Sequence, residues 1–226
     1  MTRMIVVVSA GLGTPSSTRR LAEQMANATD AAVTARGEAL DVHHLELREL
    51  AGEIAQAFAT GGLPTPALTR AKDLIASADG IIAVSPVFSG SYSGLFKSFF
   101  DVIDPKSIAD TPVLLGATAG TPRHSLMIEH AMRPLFSYLR AVTVPTAIFA
   151  ATEDFGGGEA GRELASRIQR GASQFAALLV AEPVGVDGFV QRDEDRQQHR
   201  KLRSNTSIAS GPTAFEALLK RHNGEA

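Results

Sequence analysis

The sequence predicts an α/β protein built on a doubly wound, five-stranded parallel sheet in the order 2-1-3-4-5, with a C-terminal extension. Three observations carry that expectation. Five short runs rich in Val, Ile or Leu recur along the chain, and several are apolar throughout, as strands buried on both faces are. Segments of helical spacing separate them, so strand and helix alternate five times. Right-handed crossovers then leave few topologies, and 2-1-3-4-5 is the favoured one.

The expected strands are 4–10 (MIVVVSA), 41–47 (DVHHLEL), 80–86 (GIIAVSP), 111–119 (TPVLLGATA) and 141–150 (AVTVPTAIFA). A first helix over 16–36 has Leu21, Met25, Ala28, Ala32 and Ala35 on one face. The crossover 48–79 holds GGLPTP at 61–66, so a loop is expected before its helix at 67–78. Further helices are expected over 95–103, 125–139 and 159–180. These elements make one domain over 1–180. Beyond it, 181–226 is expected to be partly helical or flexible, with a charge run and one short helix starting near Pro212.

A net charge of −2 over 226 residues gives no electrostatic case for nucleic acid, because the Lys and Arg are scattered. It is also too small for a strongly acidic electron carrier. The absence of Cys excludes disulfides, thiolate catalysis and Cys-ligated metals. No stretch approaches the roughly 18 to 20 apolar residues of a membrane span, and no leader-type apolar region opens the chain. The expected location is the cytoplasm. No metal site is expected, since His43 and His44 adjoin in a strand and point to opposite faces.

In such a sheet the ligand sits beyond the carboxyl ends of the strands, where the order reverses. Three loops meet there. The first, SAGLGTPSSTRRLA at 9–22, is a near miss of the dinucleotide fingerprint: Ser16 replaces its third glycine, and the nearest strand-end acid, Glu46, comes late. Ser9, Ser16, Ser17 and Thr18, with the N–H groups opening the helix, instead suit the three oxygens of a terminal monophosphate. Arg19 or Arg20 is a candidate charge for it. A plain helix cap is the alternative, although a cap needs one hydroxyl and three stand in a row.

The second loop, 86–94, offers small donors at Ser89, Ser91 and Ser93, planar surface at Phe88 and Tyr92, and glycines at 90 and 94. It runs into an amphipathic helix whose Leu95, Phe96, Phe99 and Phe100 read as core or interface, with Lys97 and Asp101 as a surface pair. In the third, Thr118, Ala119, Gly120 and Thr121 place backbone donors where a heterocycle edge could lie. His124 follows, either as a surface residue or as a contact to such an edge.

These loops, in this order, resemble the NAD(P)H-dependent FMN reductases of the flavodoxin-like superfamily, closest to those that serve luciferase-like monooxygenases. The resemblance covers about residues 3–180. The family's string P-x-[YF]-x-x-[ST]-x-[SP]-G-x-[LF]-K-x-[FL]-x-D falls on Pro86 to Asp101. Its serine loop falls on Ser9 and Ser16 to Thr18, and its glycine loop on Thr118 to Thr121. Two departures stand out: Leu12-Gly13-Thr14 where relatives commonly carry an arginine, and Phe88 where Tyr is usual.

The resemblance implies FMN with its phosphate in the first loop and its ring edge against Pro86, Val87, Phe88, Ser89, Gly90, Ser91, Tyr92, Thr118, Ala119, Gly120 and Thr121. It implies hydride passing from a nicotinamide nucleotide to flavin N5, with no side chain in an acid–base role. It also implies a homodimer or homotetramer that supplies reduced flavin to a luciferase-like monooxygenase. Two other functions fit the same loops: an FMN-dependent quinone, azo or metal-ion reductase, and a non-enzymatic carrier of flavodoxin type. With no Trp and two Tyr, a tight aromatic sandwich around the flavin is not expected.

Overall fold

The apolar runs become strands because both of their faces are covered. The computed structural model describes residues 2–181. Strands β1 (Thr2–Ser9), β2 (Ala39–Glu46), β3 (Gly80–Phe88), β5 (Pro112–Ala119) and the pair β6 (Val142–Thr143) and β7 (Ile148–Ala151) are parallel, in the order β2-β1-β3-β5-β6/β7. That is the expected flavodoxin-like order. The extension from 182 on, with the short helix expected near Pro212, lies outside the described residues.

Alternate residues of each strand feed two cores. Ile5, Val7, Ile82, Val84 and Leu114 pack under α1 (Ser17–Thr34) and α6 (Gly158–Leu179). Val6, Val8, Ile81, Ala83, Val113 and Leu115 face the other way, under α2 (Ala51–Ala59), α3 (Pro66–Ser77), α4 (Gly94–Asp101) and α5 (Arg133–Tyr138). The second core holds the aromatic mass: Phe96, Phe99, Phe100 and Phe136 are fully buried, with Phe100 and Phe136 edge-to-face at 4.9 Å.

Five local expectations are corrected. Residues 51–59, expected as loop, form α2, whose apolar stripe is only Ile54 and Ala57 and whose Gly52 weakens its helical signal. The last strand is broken: the pairing offset against β5 grows by two residues between β6 and β7. Pro145 has no N–H for the ladder, the Thr146 N–H donates to Gln174 Oε1, and Arg133 binds the carbonyls of Val144 and Pro145.

The stretch 125–139, expected as one helix, is a π turn at Ile128–Met132 followed by α5, with a separate 3₁₀ turn at Pro122–His124 before it. Pro134 cannot donate the bond that would continue the helix through this stretch. Finally, β4 (Ser91–Tyr92) folds back antiparallel on the end of β3. The inner face of α1 also drifts from the expected residues to Ala26, Thr29 and Val33 in its later turns.

Candidate functional site

Ser9 ends β1, Pro86 lies near the end of β3 and Thr118 near the end of β5, all at one edge of the sheet. Pro86 and Thr118 are register partners, and Ser9 pairs with Val84. The N-terminus of α1 is tied to this edge by a buried hydrogen bond of 2.8 Å between the hydroxyls of Thr18 and Thr118. Residues 100 positions apart thus fix where the first loop meets the third.

The hydroxyls of the first loop have separate tasks. Ser16 is the N-cap of α1, its Oγ accepting from the Arg19 N–H at 3.2 Å. Thr18 is taken by Thr118. Ser17 is exposed. Ser9 is 1 % exposed, and its Oγ has no hydrogen-bond partner. A buried hydroxyl left unpaired costs about 1–3 kcal/mol, so an orphan at the mouth of a strand end calls for a ligand atom. The Arg20 N–H bonds the Ser16 carbonyl, which leaves the Ser17 and Thr18 N–H groups without a backbone acceptor among the described residues.

Gly11 is dictated by this crowding. A Cβ there would lie 2.0 Å from Ser16 Oγ and 3.1 Å from Thr18 Cβ. The loop therefore closes over the helix start with no room for a side chain.

The loop's charge comes from a residue that sequence reasoning passed over. Arg48, in the 3₁₀ turn Leu47–Leu50 after β2, donates from Nη1 to Thr14 Oγ1 and, at 3.4 Å, to the carbonyls of Leu12 and Gly13. The available signal was its place just past a strand adjacent to β1. Arg19 is engaged by Glu23 at 2.8 Å, which raises its pKa. Arg20 lies over the Phe155 ring at 5.2 Å. Glu46, the register partner of Ser9, has a buried Oε1 with no hydrogen bond, 4.0 Å from Arg19 Nε, and burial raises the pKa of its carboxyl against the pull of Arg19.

The second loop is a hairpin. Ser89 and Gly90 have φ of +51° and +81° between the paired ends of β3 and β4, as a two-residue turn of the primed type requires. Its base is stitched from within: Ser85 Oγ donates to the Pro86 carbonyl and accepts the Ser93 N–H, both at 2.9 Å. Ser93 Oγ then caps α4 by accepting from Phe96 N–H. Phe88 remains 45 % exposed, while Tyr92 packs on Phe96 at 5.7 Å between centroids. Lys97 and Asp101 form the expected surface pair.

In the third loop Ala119 is part-buried, Gly120 is exposed, and Thr121 Oγ1 is a second buried hydroxyl oxygen with no hydrogen-bond partner. His124 is exposed. The structure brings Ser9, Ser17, Pro86 and Thr118 to Thr121 to one edge and sets Ser16 and Thr18 to structural bonds there.

A family model described as NADPH-dependent FMN reductase matches residues 3–156, which spans all three loops. The chain belongs to that family. It is 39% identical over 178 residues to an FMN reductase (NADPH) of Pseudomonas aeruginosa, covering 77% of this chain and 91% of the relative. It is 36% identical over 180 residues to the NADH-dependent FMN reductase SfnE of Pseudomonas putida, covering 78% and 92%. Among solved structures, an oxidoreductase from Corynebacterium diphtheriae superposes with a TM-score of 0.77 at 48% identity, covering 80% of this chain and 98% of that one. The reductase takes electrons from a nicotinamide nucleotide and passes them to FMN. Its relatives differ in the coenzyme they are named for, so the family fixes the nicotinamide but not its 2′-phosphate.

Proposed function

We propose that this reductase holds the FMN phosphate in the first loop and the ring edge against 86–92 and 118–121, and delivers reduced flavin to a two-component, luciferase-like monooxygenase. The orphaned Ser9 Oγ is the observation that carries the reading. It lies where β1 gives way to the loop, the Ser17 and Thr18 N–H groups at the loop's other end also lack a backbone acceptor, and the oxygens of a phosphate would satisfy these donors. The unpartnered Thr121 Oγ1 offers the same opportunity to a polar ring edge.

FMN, when bound, supplies the hydride-accepting chemistry. The chain's own part is binding and orientation. The Ser89–Gly90 turn fixes the direction of the second loop, and Phe88 presents an exposed apolar face there. Loops two and three carry no carboxylate and no Lys in 86–92 or 118–121, so no proton relay is built into them.

The same reading includes a cytoplasmic enzyme, where reduced nicotinamide is supplied, assembled as a homodimer or homotetramer and carrying its domain on residues 1–180. Among the described residues no helix is long and apolar enough to cross a membrane. The test is a pair of flavin titrations on Ser9→Ala combined with Ser17→Ala. FMN affinity is expected to fall at least about tenfold, while riboflavin affinity stays within about twofold. Equal losses for both flavins would sink the phosphate assignment.

A further inference from the structure

We propose that Arg48 sets the selectivity of this reductase for a phosphorylated flavin. It shapes the turn at 12–14 with one guanidinium nitrogen and offers its free edge to the phosphate dianion. The inference rests on the first loop being the phosphate cradle.

A phosphomonoester carries nearly two negative charges at neutral pH, and hydroxyls with helix N–H dipoles, worth about half a charge, compensate it only in part. Three arginines surround the loop, and two are committed. Arg19 binds Glu23 and lies 4.0 Å from Glu46, and Arg20 rests on Phe155. The need for a cation is sharpened by Glu46, whose carboxyl, with no hydrogen-bond partner for its buried Oε1, lies at the strand end beside Ser9.

Arg48 is placed by the fold. Leu47 and Leu50 are buried on either side of it and pin the 3₁₀ turn, so Arg48 faces outward between them. The pairing of Ser9 with Glu46 sets that turn beside residues 12–14. All three of its hydrogen bonds leave from Nη1, to Leu12, Gly13 and Thr14. Nε and Nη2 have no acceptor among the described residues, and their three N–H groups form the edge that binds a planar pair of oxyanion oxygens.

The clamp also orients the backbone. In a trans peptide the carbonyl and the following N–H point in opposite directions. With the Leu12 and Gly13 carbonyls held by Arg48, the N–H groups of Gly13 and Thr14 are turned away from the guanidinium, which fixes the path of the backbone. Arg48 thus acts as a positioning residue for the loop as well as a charge.

The experiment compares FMN and riboflavin dissociation constants, by quenching of flavin fluorescence at two ionic strengths, in the wild-type protein, Arg48→Gln and Arg48→Lys. The expected result is that Arg48→Gln weakens FMN about 10- to 100-fold and riboflavin less than twofold. Arg48→Lys should recover part of the loss, and the salt dependence of FMN binding should shrink in Arg48→Gln. A variant that keeps the wild-type ratio of FMN to riboflavin affinity overturns the role of Arg48 alone. Parallel losses for both flavins also overturn it, because Arg48 would then be only a structural clamp. A wild-type protein with no preference for FMN overturns the phosphate reading of the loop, and this inference with it.

Discussion

The first and second loops lie at the same edge of the sheet and are built on opposite principles. The second is closed on itself. Its turn is set by backbone conformation at Ser89 and Gly90, its base is closed by Ser85 and Ser93, and it stands on the phenylalanine cluster through Tyr92 and Phe96. The first is held from outside, by Thr118 from β5 and Arg48 from the turn after β2, and it keeps an unspent hydroxyl at Ser9. A loop whose polar groups are satisfied internally is a wall. A loop with buried polar groups left over is a receptor, stabilised when something fills it.

That contrast can be broken in order of size. Phe96→Ala should cost about 3–5 kcal/mol of stability, read from denaturant unfolding, because it empties the floor under the second loop. FMN and riboflavin affinities should fall together in that variant, and selective loss of FMN would contradict the division of labour.

Gly11→Ala comes next. Its Cβ cannot fit 2.0 Å from Ser16 Oγ, so the first loop must shift, at about 1–3 kcal/mol. The binding signature is the reverse of Phe96→Ala: FMN lost by more than about tenfold, riboflavin largely kept. A fully stable variant with normal FMN affinity would show that the loop is slack.

The smallest effect belongs to Glu46→Gln. The folded protein holds the Glu46 proton more tightly than the unfolded chain, so this group lowers stability as pH rises from the usual carboxylate range through its raised folded value. Replacing it should remove that decline and raise stability at pH 7 by less than about 1 kcal/mol, seen as a flatter dependence of the thermal midpoint on pH. A steeper decline in the variant would mean that Arg19 holds the carboxylate as a net stabilising pair.

Much of this was legible in the chain. Runs such as Ile5 to Val8 and Ile81 to Val84 are apolar without alternation because they feed cores on both faces, and that alone predicts the parallel sheet. The order of the three loops, the surface pair Lys97–Asp101 and the helix starting at Ser16–Ser17 are local facts of spacing and turn chemistry. Helix α2 was illegible because a nine-residue element with two buried side chains has hardly any periodicity to read.

Sequence by itself therefore determined the class of fold, the strand order and where the three loops fall, since hydrophobic period and turn residues act within a few positions of themselves. Only the tertiary structure decided what each hydroxyl in SAGLGTPSSTRRLA does. Ser16 caps, Thr18 reaches Thr118, Ser9 is left open, and Arg48 arrives from a separate turn to grip Leu12-Gly13-Thr14. The cap at Ser16 is local, but the Thr18 and Arg48 assignments depend on partners 100 and 34 residues away, which no local pattern encodes.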